Sequence, residues 1–270
     1  ATDFVLSSSN ITALAQIYTP GLVVMQFTGP TTFDVNARSG QGLSMTGAHA
    51  PALASIKLED NTPTEVSMMI ENFDGSLKLG TAKSGTLTAK KINLHGRLAA
   101  LQKNDMAVYD FAGMNEDFSY NGPQRDPIDK GPITFNSFVF NARADNVPYP
   151  WPDRLGDTIS LWAQNNGTLD ISKLDLTRAP VRASMSGNLQ ASSAGLLDGK
   201  LKGKIVNLDK FLDRLVSVGT LSKGEASIAK NMFRLLSGNK DNAAVSTELS
   251  VKDSKIYLGP FKIGRFNPLF

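Results

Sequence analysis

The side chains that could do acid–base or nucleophilic chemistry are few in this sequence. The 270 residues include two histidines, His49 and His95, and no cysteine. A thiolate nucleophile, a thiolate metal site and a disulfide framework are therefore excluded. His95 lies in an alternating, strand-like segment, and His49 lies in a segment rich in alanine and proline. Both contexts favour histidines that are solvated or hydrogen-bonded over catalytic or metal-binding ones.

Acidic side chains occur as adjacent pairs, Glu59 with Asp60 and Glu116 with Asp117. Neighbours in a strand point to opposite faces, so adjacency does not make an acid–base pair. The chain has no phosphate-binding glycine loop, no nucleophile elbow and no HExxH metal motif. A serine–histidine–acid triad assembled from distant segments stays open. The leading expectation is a protein that is not an enzyme and that needs no cofactor and no metal.

The charge and hydropathy of the chain limit the classes of partner that it can bind. The 28 basic and 25 acidic residues are well mixed and give a net charge of +3, which does not indicate a nucleic-acid surface. No apolar run approaches the ~18–20 residues that span a bilayer. The first residues, Ala-Thr-Asp-Phe, do not form a basic start followed by an apolar run. We therefore expect a mature exported chain or a trimmed one, with any signal peptide or anchor outside it.

Most of the chain alternates apolar and polar residues, the pattern of a half-buried strand. The runs at 76–79, 169–171, 181–185 and 256–258 are examples, and Gly, Asn, Asp and Pro bound them. One apolar and one polar face predict an antiparallel sheet that is covered on one side only.

The alternation changes phase within several strands. The apolar positions move from odd to even numbers between 89 and 92, between 135 and 138, and between 171 and 174. Each change predicts an extra residue, either a β-bulge or a short turn. Repeated bulges predict a strongly curved sheet.

Two segments have helical spacing, 209–218 and 222–236, and a weaker third is 12–17. Residues 112–131 are predicted as an exposed loop, and 147–153 as a proline-rich connection. The fold class is mainly β with a few helices (α+β): a strongly curved antiparallel sheet shaped like a half-barrel or taco, with two amphipathic helices packed near the C-terminal half. The halves are 1–146 and 147–270, which could form one continuous sheet.

The apolar face of a curved sheet can be filled by the protein itself or left open to an apolar guest. A dry groove can hold an alkyl chain without catalytic residues, because burial contributes about 0.8 kcal/mol per methylene. The candidate lining residues are inward positions of the strands in the second half and of the first helix: Leu169, Ile171, Leu174, Leu176, Leu189, Leu201, Ile205, Phe211 and Leu215. Each could equally be plain core.

Several segments of the second half resemble the family catalogued as domain of unknown function 2125, found in Gram-negative bacteria. They are WAQNNGTLDI at 162–171, SGNL at 186–189, DGKL at 198–201 and the closing LGPFKIGRFNPL at 258–269. The resemblance covers about 151–270. That family is similar to AsmA-like envelope proteins, whose curved sheets are linked to lipid movement between membranes. The resemblance carries no agreed catalytic residues.

The leading functional hypothesis is therefore a periplasmic lipid-binding or lipid-transfer module in the cell envelope, with an apolar ligand on the concave face of the sheet. The expected partners are a lipid or other apolar ligand and a membrane or envelope protein, with no nucleic acid. The alternative is a non-catalytic structural or assembly protein of the envelope, whose apolar face is filled and whose loops bind a protein partner. Cavity volume discriminates between the two.

Overall fold

Strands make up most of the chain. The computed structural model describes residues 3–16, 18–36, 43–60, 62–79, 84–123, 131–150, 155–236, 244–266 and 268–269. The strands in these ranges are β1 Asp3–Gln16, β2 Thr19–Asn36, β3 Leu43–Ala48, β4 Ala52–Glu59, β5 Thr62–Leu79, β6 Gly85–Leu101, β7 Met106–Asn121, β8 Ile133–Pro148, β9 Thr168–Arg178, β10 Val181–Ala191, β11 Leu197–Val206, β12 Val245–Lys252, β13 Lys255–Leu258 and β14 Phe261–Arg265. The helices are α1 Leu155–Gln164, α2 Leu208–Ser217 and α3 Lys223–Leu236.

All these strands belong to one large, curved sheet of 14 strands, and every pair is antiparallel. The order follows the chain, except that β3 and β4 lie end to end between β2 and β5. The predicted fold class, mainly β with few helices, is confirmed. The two predicted halves meet within the sheet, where β8 pairs with β9.

A crease crosses the sheet where two of the three phase changes were predicted. We define it by Asn72, Lys90, Asp117 and Asn136, which occupy equivalent positions in β5 to β8. Asn72 and Asp117 have positive φ angles of 52° and 46°, which rotate the strand at these points. The register is the same on both sides of the crease. β6 and β8 therefore cross the crease without the predicted extra residue, beside rotated residues in β5 and β7.

The third predicted phase change, in β9, is a true bulge. The register between β8 and β9 shifts between Asn141 and Ala142, opposite Lys173 and Ile171. Ser172 is the extra residue, which bends the strand as expected.

Both predicted amphipathic helices form within one residue of their predicted starts and ends. The capping box of α3 is present: the Ser222 N–H donates to Glu225 Oε2 at 2.8 Å, and the Glu225 N–H donates to Ser222 Oγ at 3.2 Å. Hydrogen bonds from the backbone N–H of Ser222, and then from its side chain, lower the pKa of the Glu225 carboxyl. Asn207 precedes α2 but makes no side-chain cap and donates to the Pro180 carbonyl instead.

Two local predictions are wrong, and one helix was missed. Residues 12–16 of the predicted helix 12–17 continue β1, and residues 112–121 of the predicted loop 112–131 belong to β7. Residues 17 and 124–130 lie outside the described ranges. Helix α1 was missed, although Asn166 and Gly167 mark its end. The Trp162 ring of α1 lies directly over Gly167 and donates its Nε1–H to the Asp145 carbonyl at 2.8 Å. Long-range pairing overrode a weak helical spacing in the first case and local turn signals in the second.

Candidate functional site

The structure brings eight of the nine predicted lining residues into one hydrophobic cluster, which we call the helix-covered core. Five are buried in it and three are half-buried against it. Leu176, the ninth, is half-buried on β9. The eight in the cluster are Leu169, Ile171, Leu174, Leu189, Leu201, Ile205, Phe211 and Leu215.

Helices α2 and α3 close this cluster. Leu212 and Leu215 of α2 are fully buried, as is Ala229 of α3, and Phe233 of α3 is 4% exposed. These side chains pack on the sheet through Leu201 and Ile205. This arrangement has the character of a filled protein core. Contact of the nine residues with a lipid stays a prediction.

The sheet has two faces that the register distinguishes. Cross-strand partners share a face, and successive residues alternate between faces. Leu174, Phe140 and Gly113 are successive partners in β9, β8 and β7, and Leu174 packs against the helix-covered core. We call their side the helix face. The opposite side, which carries Ala112 and Val139, is the cleft face.

A cavity of about 550 Å³ lies on the cleft face, over strands β2 and β4 to β8. Eleven of its fifteen lining residues point to this face by register. The other four, including Leu94 and Gly113, lie between them and contribute the backbone floor. We call this cavity the cleft. It lies on the face opposite Leu174, away from the predicted lining residues.

Two cross-strand rows form the walls of the cleft. The apolar row consists of Leu53, Met69, Asn93, Met114 and Val139. The small polar row runs beside it and consists of Val24, Ser55, Ser67, His95, Ala112 and Asn141. Small side chains in the second row leave the space that the cavity occupies.

Ser67 and His95 place a hydroxyl beside an imidazole, and Glu65 is near. Ser67 Oγ is 2.8 Å from His95 Nδ1, and Glu65 Oε1 is 3.9 Å from the same nitrogen. A triad needs the serine on one ring nitrogen and the acid on the other. Ser67 also lies in β5, which pairs with β4 on one side and with β6 on the other. The backbone N–H groups around it therefore form hydrogen bonds within the sheet and cannot form an oxyanion hole. The arrangement suits a polar contact better than nucleophilic catalysis.

A row of charged residues, the charged row, lies beside the small polar row on the same face. Each of its members is two residues away, along its strand, from a member of the small polar row. Lys57, Glu65, Arg97, Asp110 and Arg143 are successive cross-strand partners. Asp110 accepts from Arg143 Nε at 2.8 Å and from an Arg97 amino group at 2.6 Å. These hydrogen bonds, first to Arg143 and then to Arg97, lower the pKa of the Asp110 carboxyl.

The lowered pKa of Asp110 predicts an acid-dependent loss of stability. A carboxyl with a depressed pKa in the fold stabilises it above its unfolded pKa of about 4 and loses this contribution as the pH falls through the folded value. Asp110→Asn removes that contribution, worth roughly 1 kcal/mol or less for a partly exposed pair. Urea unfolding at pH 7 and near pH 2 should show the gap between wild type and variant closing in acid. An equal gap at both pH values would contradict this assignment.

A second, smaller recess of about 300 Å³ lies next to the charged row. Lys57, Glu65 and Arg97 line it, together with Glu59 and the apolar residue Leu101. Lys57 Nζ lies 2.8 Å from Glu59 Oε1. The cleft face therefore passes from an apolar cavity to a recess with two cations and two carboxylates.

The described ranges contain no group of three or more His, Asp or Glu side chains placed to hold a metal ion. None of the helices in these ranges is long and apolar enough to span a bilayer. His49, the other histidine, lies outside the cleft and hydrogen-bonds through Nε2 to Thr31 Oγ1 at 2.7 Å.

Sequence reasoning missed the cleft residues because it assigned one apolar face to each strand and because it predicted residues 112–131 as an exposed loop. The run Met68, Met69 and Ile70 is the signal that was available. Consecutive apolar residues in a strand indicate that both faces meet apolar surroundings. Here Met68 and Ile70 lie on the helix face and Met69 lies in the cleft.

Comparison with known proteins assigns the chain to a family. No curated protein and no solved structure matches the chain. A family model described as "Uncharacterized protein conserved in bacteria (DUF2125)" matches residues 1–267. The match is longer than the resemblance over about 151–270 and includes every strand that lines the cleft. The chain therefore belongs to the DUF2125 family of bacterial proteins.

Proposed function

We propose that this protein is a non-catalytic binding module that holds the alkyl chain of a lipid in the cleft. The observation that carries the proposal is the 550 Å³ cavity with an apolar row along one wall. This volume lies within the ~300–1,000 Å³ typical of small-molecule sites. Leu53, Met69, Met114 and Val139 offer a flexible apolar surface, because methionine adapts to irregular partners.

The free energy of such binding requires no reactive group. Each methylene that leaves water contributes about 0.8 kcal/mol, so a handful of methylenes outweighs the ordering of a chain. Asn93 lies within the apolar row, and its Oδ1 is buried without a hydrogen-bond partner among the described residues. A hydroxyl or amide near the alkyl chain could donate to this oxygen and fix the depth of the ligand.

The recess beside the charged row determines how an amphipathic ligand would be oriented in the cleft. An amphipathic molecule with its tail in the cleft would extend its polar end past His95 towards Lys57, Glu65 and Arg97. Two cations and two carboxylates suit a polar end without net charge better than a strongly anionic one. The proposal includes action in the periplasm or cell envelope and transfer of the lipid between membranes. Both of these parts rest on the family resemblance.

The alternative function, a structural or assembly protein of the envelope, has one observation in its favour. The apolar face under α2 and α3 is filled by the protein's own side chains, including Leu212 and Leu215. A partner would then bind elsewhere, and the cleft would stay empty.

Native mass spectrometry of the purified full chain tests the proposal. We expect adducts with the mass of a lipid, which organic extraction removes and which a fluorescent fatty acid can replace in the extracted protein. Extracted protein that stays folded but binds neither the fatty acid nor a neutral monoacylglycerol would contradict lipid binding and leave the structural alternative.

A further inference from the structure

The two edges of the sheet are protected very differently. Strand β1, of 14 residues, pairs only with β2 in the described chain, so one row of its backbone N–H and C=O groups has no strand beside it. Strand β14, at the opposite edge, has five residues. Open edges of this kind are templates for pairing with another strand.

The edge at β14 carries the features that prevent pairing. Lys262 and Arg265 place charges on it, Pro260 precedes it, and the Leu269 N–H beyond it donates to the Gly195 carbonyl. Short, charged and proline-flanked edges resist addition of a strand. The β14 edge is therefore closed to a partner strand.

The β1 edge has fewer of these features. Asp3, at its start, is the only charged residue of the strand, and the strand contains no proline. Its register with β2 shifts between Ser8 and Asn10 and again between Ala15 and Gln16. Ile11 is 47% exposed and Leu14 is 65% exposed, and Tyr18 at the end of the hairpin is 99% exposed. A long, neutral edge with exposed apolar side chains is the kind that pairs.

We propose that β1 pairs antiparallel with β1 of a second copy of this chain, across a two-fold axis. The only charge of β1 is Asp3 at its first residue, so the remaining 13 residues meet no like-charge repulsion when the strand faces itself, and a two-fold contact closes after two copies. Pairing of β1 with β14 of another copy would use five residues only, would place Lys262 and Arg265 in the contact and would propagate into a filament.

This inference does not depend on the proposed function, but it affects the cleft. Leu14 is the cross-strand partner of Val24, which lines the cleft. Both therefore lie on the cleft face. A dimer through β1 would join the cleft faces of the two copies into one surface across the axis.

Sedimentation of the full chain measures the first consequence. We expect a particle of twice 29.0 kDa that dissociates on dilution. The double variant Ile11→Lys with Ala13→Lys should be a monomer at all concentrations, while Thr86→Lys with Thr88→Lys, on an exposed face of β6, should stay dimeric. If the wild-type chain sediments as a monomer of 29.0 kDa at every concentration up to its solubility limit, the proposal is overturned.

Single cysteines locate the contact, because the chain has none of its own. We expect Cys substitutions at positions 10 to 14, made one at a time, to form an oxidised dimer only at the one or two positions next to the axis, where a residue meets its own copy. Circular dichroism would confirm that each variant is folded. Equal cross-linking at all five positions, or cross-linking of Ile11→Cys with Lys262→Cys in a mixture, would overturn the β1–β1 contact.

Discussion

Tryptophan at position 112 is expected to abolish binding of a fatty-acid probe while leaving the fold intact. Ala112 lies in the small polar row, between His95 and Asn141, with its side chain on the cleft face. An indole there would fill the space that the small side chains leave. Excluding only two methylenes of the ligand costs about 1.6 kcal/mol, which is more than a tenfold loss of affinity.

A fluorescence titration with a fatty acid would measure this effect, and the urea midpoint would report on the fold. The matched control is Thr88→Trp, which places the same side chain on an exposed position of β6 outside the cleft. Thr88→Trp should bind like the wild type. Unchanged affinity of a folded Ala112→Trp protein would place the ligand elsewhere.

Aspartate at position 171 is expected to prevent folding. Ile171 is 8% exposed in the helix-covered core and belongs to the bulged part of β9. An unpaired charge there would be strongly destabilising, on the order of 4 kcal/mol or more, against a total stability of about 5–15 kcal/mol. Circular dichroism and urea unfolding should show a largely unfolded chain.

Ile171→Val serves as the conservative control, with an expected cost of about 0.5–1.5 kcal/mol and normal ligand affinity. A folded Ile171→Asp protein that has lost the ligand would give the opposite result. It would mean that the helix-covered residues line the lipid site, as the sequence analysis predicted.

The parts of the fold that local sequence determines were predictable. The capping box at Ser222 and the apolar spacing from Ala226 to Phe233 define α3 without reference to the rest of the chain. The alternation of β9 to β11 predicted strands because one of their faces meets α2 and the other meets water.

The crease and β7 depend on partners far away in the chain. Asp117 lies in a segment with turn-like residues, but pairing with β6 and β8 holds it within a strand at a positive φ angle. Polar residues of the Asn and Asp type tolerate this conformation. A local pattern cannot distinguish such a residue from a turn, so the segment was predicted as a loop.

The cleft was not predictable for a related reason. Its rows combine residues from six strands, and each strand contributes only one to three of them. The apolar positions 138 and 140 left Val139 on the other face of its strand, and Met114 fell in the predicted loop 112–131. The neighbouring strands nevertheless bring four apolar side chains together at these two residues. Which of two apolar faces receives helices α2 and α3 is decided by tertiary packing.

Photolabelling measures most directly where a lipid binds. A fatty acid with a diazirine in its alkyl chain would be bound to the full protein, irradiated, and located by mass spectrometry of peptides. We expect the label on Met69, Met114 and Val139, in β5, β7 and β8, with loss of labelling in Ala112→Trp. Label confined to peptides of α2 and α3, or spread evenly over the surface, would contradict a lipid site in the cleft.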